Sequence, residues 1–218
     1  MGQYYNPRST TDGIILCHDA GNIQSYKGTG TVVNSLINVF NGTLTNGVTF
    51  STDGRGTFIF NGTNQYNLIP NSATLQLATG SLSVWAKASS PGAGFRGIIA
   101  KQFSYGIFYD GGVLVSYDWG AGATRSTGIN IADGSWKHIV YNWQGGITNG
   151  STIYLNGSLA STFTMSIAST AADLHIGAEA NAGQYANCSV SSYALYNRNL
   201  SFKEINQIYN SLKSRYGL

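Results

Sequence analysis

Gly106-Ile107-Phe108-Tyr109-Asp110-Gly111-Gly112-Val113-Leu114-Val115-Ser116-Tyr117 decides the fold class of this chain. Two short runs rich in β-branched and aromatic residues flank Asp110-Gly111-Gly112, a hairpin signal. Upstream, Ser81-Leu82-Ser83-Val84-Trp85-Ala86-Lys87 alternates with period two, so Leu82, Val84 and Ala86 share one face of a strand. Similar runs extend in both directions: Gly13–His18, Thr57–Phe60, Gly97–Lys101, Trp136–Trp143, Thr152–Gly157, Leu174–Gly177 and Cys188–Tyr196. Ten or more short strands with turn signals between them predict an all-β, antiparallel sandwich. The exception is the C-terminus. Ser201-Phe202-Lys203-Glu204 is a capping box, Leu200 can staple onto Ile205, and Ile205, Ile208, Tyr209 and Leu212 fall at helical spacing. This predicts a helix over 201–215, lying outside the sandwich against an edge or an open end.

The chain has 218 residues, with 12 Lys+Arg and 9 Asp+Glu, and only 10% of it is charged. Typical globular domains carry about 25%. One all-β domain of roughly 200–250 residues accommodates this length, so the expected organisation is an arm at 1–12 and a single domain at 13–218. No basic run supplies the footprint that nucleic-acid binding requires. No apolar stretch reaches the length of a membrane span. Met1–Arg8 has no apolar core of the kind a secretory signal carries. Cys17 and Cys188 read either as two buried small hydrophobes or as a pair joining terminal strands; their spacing is not that of a zinc site. The Asn-Gly-Ser/Thr triplets at Asn41, Asn61, Asn149 and Asn156 read as turns.

Several segments, in collinear order, resemble the laminin-G-like, concanavalin A-like lectin/glucanase jelly rolls. They are Thr11–Asn22, Ser25–Thr31, Asn41–Phe50, Phe60–Tyr66, Trp136–Val140, Ile153–Gly157, and Ala194–Ser201 running on to Tyr216-Gly217. The opening and the Arg215-Tyr216-Gly217 ending resemble standalone virion proteins of tailed bacteriophages. The resemblance implies a jelly-roll β-sandwich with a short C-terminal α-helix, made in the host cytoplasm and carried on the virion surface. It implies a virion accessory protein, a capsid decoration or a head or tail fibre, that is a non-catalytic adhesion module for host-surface glycans. Its partners would be capsid or fibre subunits, in a homo-oligomer or symmetric array. The alternative is a free carbohydrate-binding lectin with no virion role.

The resemblance also implies calcium at the sheet rim, where Asp19, Asn22 and Asn61 match the family's positions and would supply hard oxygen ligands. Two acidic positions of the family pattern are amides here, at Asn61 and Gln65. Glycoside hydrolysis needs two carboxylates about 5–5.5 Å or about 6.5–9.5 Å apart. No two acids in the sequence have a spacing that places them so on one strand face, and the expectation is no enzyme. His18, His138 and His175 fall within strands and read as packing residues. Sugars need an aromatic platform with a few polar partners. Trp119, in the glycine-rich Asp118-Trp119-Gly120-Ala121-Gly122 turn, is a poor core residue, so Trp119, Asp118, Tyr117 and Arg125 form the candidate ligand patch. With only inward faces expected to be apolar, the rim loops are the expected place for binding.

Overall fold

A computed structural model describes residues 10–37 and 40–218. In chain order the strands are β1 (Ile14–Asp19), β2 (Val32–Val33), β3 (Gly42–Thr45), β4 (Thr49–Ser51), β5 (Thr57–Asn61), β6 (Tyr66–Ile69), β7 (Thr79–Ala88), β8 (Phe95–Lys101) and β9 (Tyr105–Asp110). They continue as β10 (Val113–Asp118), β11 (Ala123–Asn130), β12 (Lys137–Gln144), β13 (Ser151–Leu155), β14 (Ser158–Phe163), β15 (Leu174–Ile176), β16 (Ala178–Glu179), β17 (Gln184–Tyr185) and β18 (Asn187–Tyr196). One sheet runs β14-β13-β12-β7-β18-β5-β4, with β1 also on β18; the other runs β11-β10-β9-β8-β15-β6-β3-β2. Among the described residues the strands pair antiparallel except at a parallel bridge between Tyr185 and Gly97, and an isolated parallel bridge outside the strands joins Gly145 to Met165. Two antiparallel sheets stacked face to face form the expected sandwich. Most of the arm at 1–12 lies outside the described residues. No helix among the described residues is long and apolar enough to cross a membrane.

Turn chemistry sets the hairpins. Gly111 and Gly112 have φ of 54° and 89° between the paired Asp110 and Val113, and Asn156 and Gly157 have φ of 49° and 82° between the paired Leu155 and Ser158. Two successive positive φ values match the strand twist, and glycine or asparagine takes them at least cost. The inter-sheet core holds Leu82, Val84 and Ala86 of β7, as the period-two reading predicts, with Leu114, Ile139, Leu174 and Leu195. Tyr105 and Trp143 stack there at 4.2 Å between centroids. Each polar tip finds a backbone carbonyl: Tyr105 Oη donates to Leu75 and Trp143 Nε1 to Leu77.

The helix, α1 (Phe202–Leu212), is followed by a 3-10 turn over Lys213–Tyr216. Its capping box is formed, since Ser201 Oγ accepts from the Glu204 amide and Glu204 accepts from the Ser201 amide at 2.8 Å. The helix does not cover an edge or an open end. It lies across the outer face of the first sheet, where Ile205 and Ile208 pack with Val140, Tyr196 and Leu200. Beyond it, Tyr216 stacks on Trp85 at 4.1 Å. The physical reason lies in β7, whose outward residue Trp85 is as apolar as its inward ones and needs a cover. The expectation that inner faces alone are apolar is therefore corrected twice, because the second sheet also carries an aromatic outer face.

Candidate functional site

That second outer face is built from β8, β9 and β10. Period two sends Val113, Val115 and Tyr117 outward while Leu114, Ser116 and Asp118 turn inward. Phe95, Phe108, Tyr117 and Trp119 meet there edge to face: Phe95–Phe108 at 6.0 Å, Phe95–Tyr117 at 5.4 Å, Phe108–Trp119 at 5.9 Å and Tyr117–Trp119 at 5.6 Å. Gly106 makes room for this packing, since a Cβ there would lie 2.9 Å from the Phe108 ring. Phe108 is buried at the centre, whereas Tyr117 and Trp119 are half-buried and leave part of their surface open.

Two further segments wall this floor into a cleft of about 310 Å³ lined by Phe95, Gln102, Phe103, Phe108, Tyr117, Trp119, Glu179, Ala182 and Gln184. One wall is the β8–β9 turn, where Phe103 has φ of 61° and is 54% exposed. A bulky aromatic in the left-handed region, held out into water, is strained and apolar at once; such positions concentrate at ligand sites. The other wall is the flap 178–185, made of β16, β17 and the turn between them. Gly97 lets this flap cross β8, because a Cβ there would lie 2.4 Å from Ala178 C and from Glu179 N.

Among the described residues, Glu179 brings the only carboxylate to this cleft. It is 2% exposed, and its Oε1 is buried with no hydrogen-bond partner. Burial raises its pKa, against the lowering effect of hydrogen bonds from the Ala182 and Asn181 amides.

Of the four residues of the sequence-derived patch, the structure brings Trp119 and Tyr117 together in the cleft. Asp118 and Arg125 face the other way. Asp118 is 1% exposed and accepts from Arg125 Nη2 at 2.8 Å, from the Ala121 amide at 3.1 Å and from the Ser166 amide at 3.2 Å. It ties two loops to the end of β10. Sequence reasoning missed Phe95, Phe103, Phe108 and Glu179. One signal was available: the set Val113, Val115 and Tyr117 on the outward face of β10 is apolar, where a solvated face would be polar.

Asp19, Asn22 and Asn61 do not fit a calcium site. Both oxygens of Asp19 accept from Arg215, at 2.8 Å each, and Oδ1 also takes the Gly21 amide. Asn22 Oδ1 accepts from the Gln24 amide, and Asn61 Oδ1 from those of Thr63 and Asn64. These are Asx turns. Asn61 is at one end of β5, and Gly56, packed on Gly21 beside Asp19, precedes the other end. Five strand residues separate those ends by about 16 Å, which no single ion bridges. No group of three or more His, Cys, Asp or Glu side chains converges among the described residues.

The histidines are packed. His18 bonds Tyr193 Oη at 2.6 Å and the Phe40 carbonyl at 2.8 Å, and burial holds its pKa down at about 4. His138 lies against Trp85 at 5.0 Å, bonds Ser83 Oγ at 2.9 Å, and is held at about 3 by burial. The two thiols are free. Cys17 pairs across from Ala194 on β18, six residues along from Cys188. That is about 20 Å of strand, so the two cannot be bridged. Burial pushes both thiols up to about 12.

The fold and cleft can be set beside known proteins. The binding domain of Paraclostridial Mosquitocidal Protein 1 superposes with a TM-score of 0.70 at 16% identity, covering 91% of this chain and 52% of that one. A Trypanosoma rangeli sialidase in complex with sialic acid gives 0.70 at 15%, covering 93% and 33%. The botulinum neurotoxin serotype D binding domain gives 0.66 at 16%, covering 91% and 51%. The chain thus spans about half of the toxin binding domains and about a third of the sialidase, and at these identities the likeness is one of fold. No curated protein matches the sequence. A family model does match, over residues 60–206, from β5 into α1. With most of its length inside that match and two antiparallel sheets beneath it, the chain belongs to the concanavalin A-like lectin/glucanases superfamily.

Proposed function

We propose that this protein is a non-catalytic glycan-adhesion module whose binding site is the aromatic cleft on the outer face of the second sheet. The observation that carries this reading is the half-open surface of Tyr117 and Trp119 beside the strained, exposed Phe103. Such a surface accepts the C–H face of a sugar ring, while Gln102 and Gln184 offer hydrogen bonds at its margin and Glu179 lies buried in its wall. Glu179 is the one carboxylate lining the cleft among the described residues. Hydrolysis by the usual route takes two, which supports binding rather than cleavage.

The module serves, in this reading, as an accessory protein of a tailed-bacteriophage virion, on a capsid or a fibre. The collinear likeness of its opening, its strand motifs and its C-terminal Arg215-Tyr216-Gly217 to such proteins supports this. The low charge supports it too, since fewer ions need desolvation in a close assembly contact. A glycan array with the intact chain and Trp119→Ala tests the first part: array signal must appear and must fall with the substitution. Co-purification with particles tests the second. A chain that never travels with particles yet binds glycans through Trp119 is the free lectin instead.

A further inference from the structure

Glu179 is an unusual residue to find in an aromatic cleft. Burying a carboxylate costs several kcal/mol unless a partner compensates it. Among the described residues no lysine or arginine lines this cleft. The faces of Phe95, Phe103, Phe108, Tyr117 and Trp119 carry the negative lobes of their ring quadrupoles and cannot compensate a carboxylate. The flap places the acid there deliberately: Gly97 clears the crossing, and Glu179 pairs in register with Gln184 across the flap's own short ladder. Yet Oε1 is left buried and without a partner.

A neutral hydroxyl would satisfy that oxygen with one hydrogen bond and leave the charge to the Ala182 and Asn181 amides. An ammonium group donates to the carboxylate, neutralises it, and is attracted by the ring faces as well. Resting on the reading of this cleft as the glycan site, we infer that it selects saccharides bearing a free primary amine, with the sugar ring on Trp119 and Tyr117 and the ammonium against Glu179. The cleft, at about 310 Å³, has room for a sugar residue and its amine.

The test is calorimetric titration of the intact chain with three oligosaccharides of one backbone length: β-1,4-linked glucosamine, the same oligomer fully N-acetylated, and the corresponding glucose oligomer. The glucosamine oligomer is expected to bind about tenfold tighter than the other two, which corresponds to about 1.4 kcal/mol. Glu179→Gln keeps the side-chain shape and is expected to erase that preference. Equal affinity for all three, lost with Trp119→Ala, overturns the amine selectivity and leaves the cleft as the glycan site. Binding of the glucosamine oligomer that ignores both substitutions overturns the cleft itself, and no binding of any of the three overturns both. If Glu179→Gln does not fold, the comparison of free and acetylated oligomers on the unsubstituted chain decides the matter alone.

Discussion

Arg215 and Asp19 are 196 positions apart and meet through two parallel hydrogen bonds, Nη1 to Oδ2 and Nη2 to Oδ1, each 2.8 Å long. The same guanidinium donates to Ser191 Oγ at 2.8 Å and to the carbonyls of Gly54 and Gly56. It sits where β1 and β5 run end to end alongside β18. The bulge between Val190 and Ser192 marks the same place. One planar fork thus holds three strands and the C-terminal turn.

Arg215→Ala is expected to lower stability by about 2–3 kcal/mol. A fully buried pair would cost about 3–5, but Asp19 keeps some contact with water. Arg215→Lys recovers little of this, because an ammonium cannot reproduce the fork. Urea unfolding of both variants checks the claim; a lysine variant as stable as the original chain would refute it.

Phe103 is strained where it stands. Phe103→Gly removes the left-handed penalty, worth about 1 kcal/mol, together with an apolar side chain that is 54% exposed. Stability is expected to hold or rise while glycan affinity falls. Thermal unfolding and titration on the same sample separate the two effects, and a variant with unchanged affinity removes Phe103 from the site.

Gly97→Ala puts a methyl into the backbone of Ala178 and Glu179. Neither β8 nor the flap can yield cheaply, so the expected cost is about 2–3 kcal/mol, with the flap displaced and the cleft lost. A crystal structure of the variant showing residues 178–185 in place would contradict this account.

Acid should destabilise the protein over two overlapping pH windows. His18 and His138 are held at about 4 and about 3 by burial, against an ordinary 6.5. The unfolded chain therefore binds more protons below about 6.5, and the stability present above that value is lost as pH falls toward those folded values. Glu204 acts lower. The Arg198 hydrogen bond, first, holds it at about 2 against 4.5, so its contribution is present above 4.5 and lost as pH falls toward about 2. Urea midpoints measured from neutral into acid pH should decline from the first window onward. A flat profile down to the carboxylate range would refute the histidine part.

The sandwich was legible in the sequence because its signals are local. Strand alternation, as at Leu82, Val84 and Ala86, and turn glycines, as at Gly111 and Gly112, express themselves within a few residues. So does the capping box at Ser201 and Glu204. The place of the helix was less legible. Trp85 alternates with core residues but says nothing of what will cover it, and Tyr216, which stacks on it, arrives 131 positions later.

Half of the candidate site could be read as well. Trp119 and Tyr117 share an outward face by strand period alone. Asp118, between them, is turned the opposite way by that same period, and only the tertiary structure shows it tying the Ala121 and Ser166 loops. Glu179 was beyond reach. The flap that carries it packs across β8 through a glycine some eighty positions earlier, and nothing local to either segment encodes that crossing. Sequence alone marked runs inside ten of the strands and the inward face of β7, since those signals are a matter of nearest neighbours, while polar or short strands such as β11 and β2 carried none. The meeting of a buried acid with five aromatic rings was decided by the stacking and crossing of distant strands, because a cleft exists only between segments that the fold has brought together.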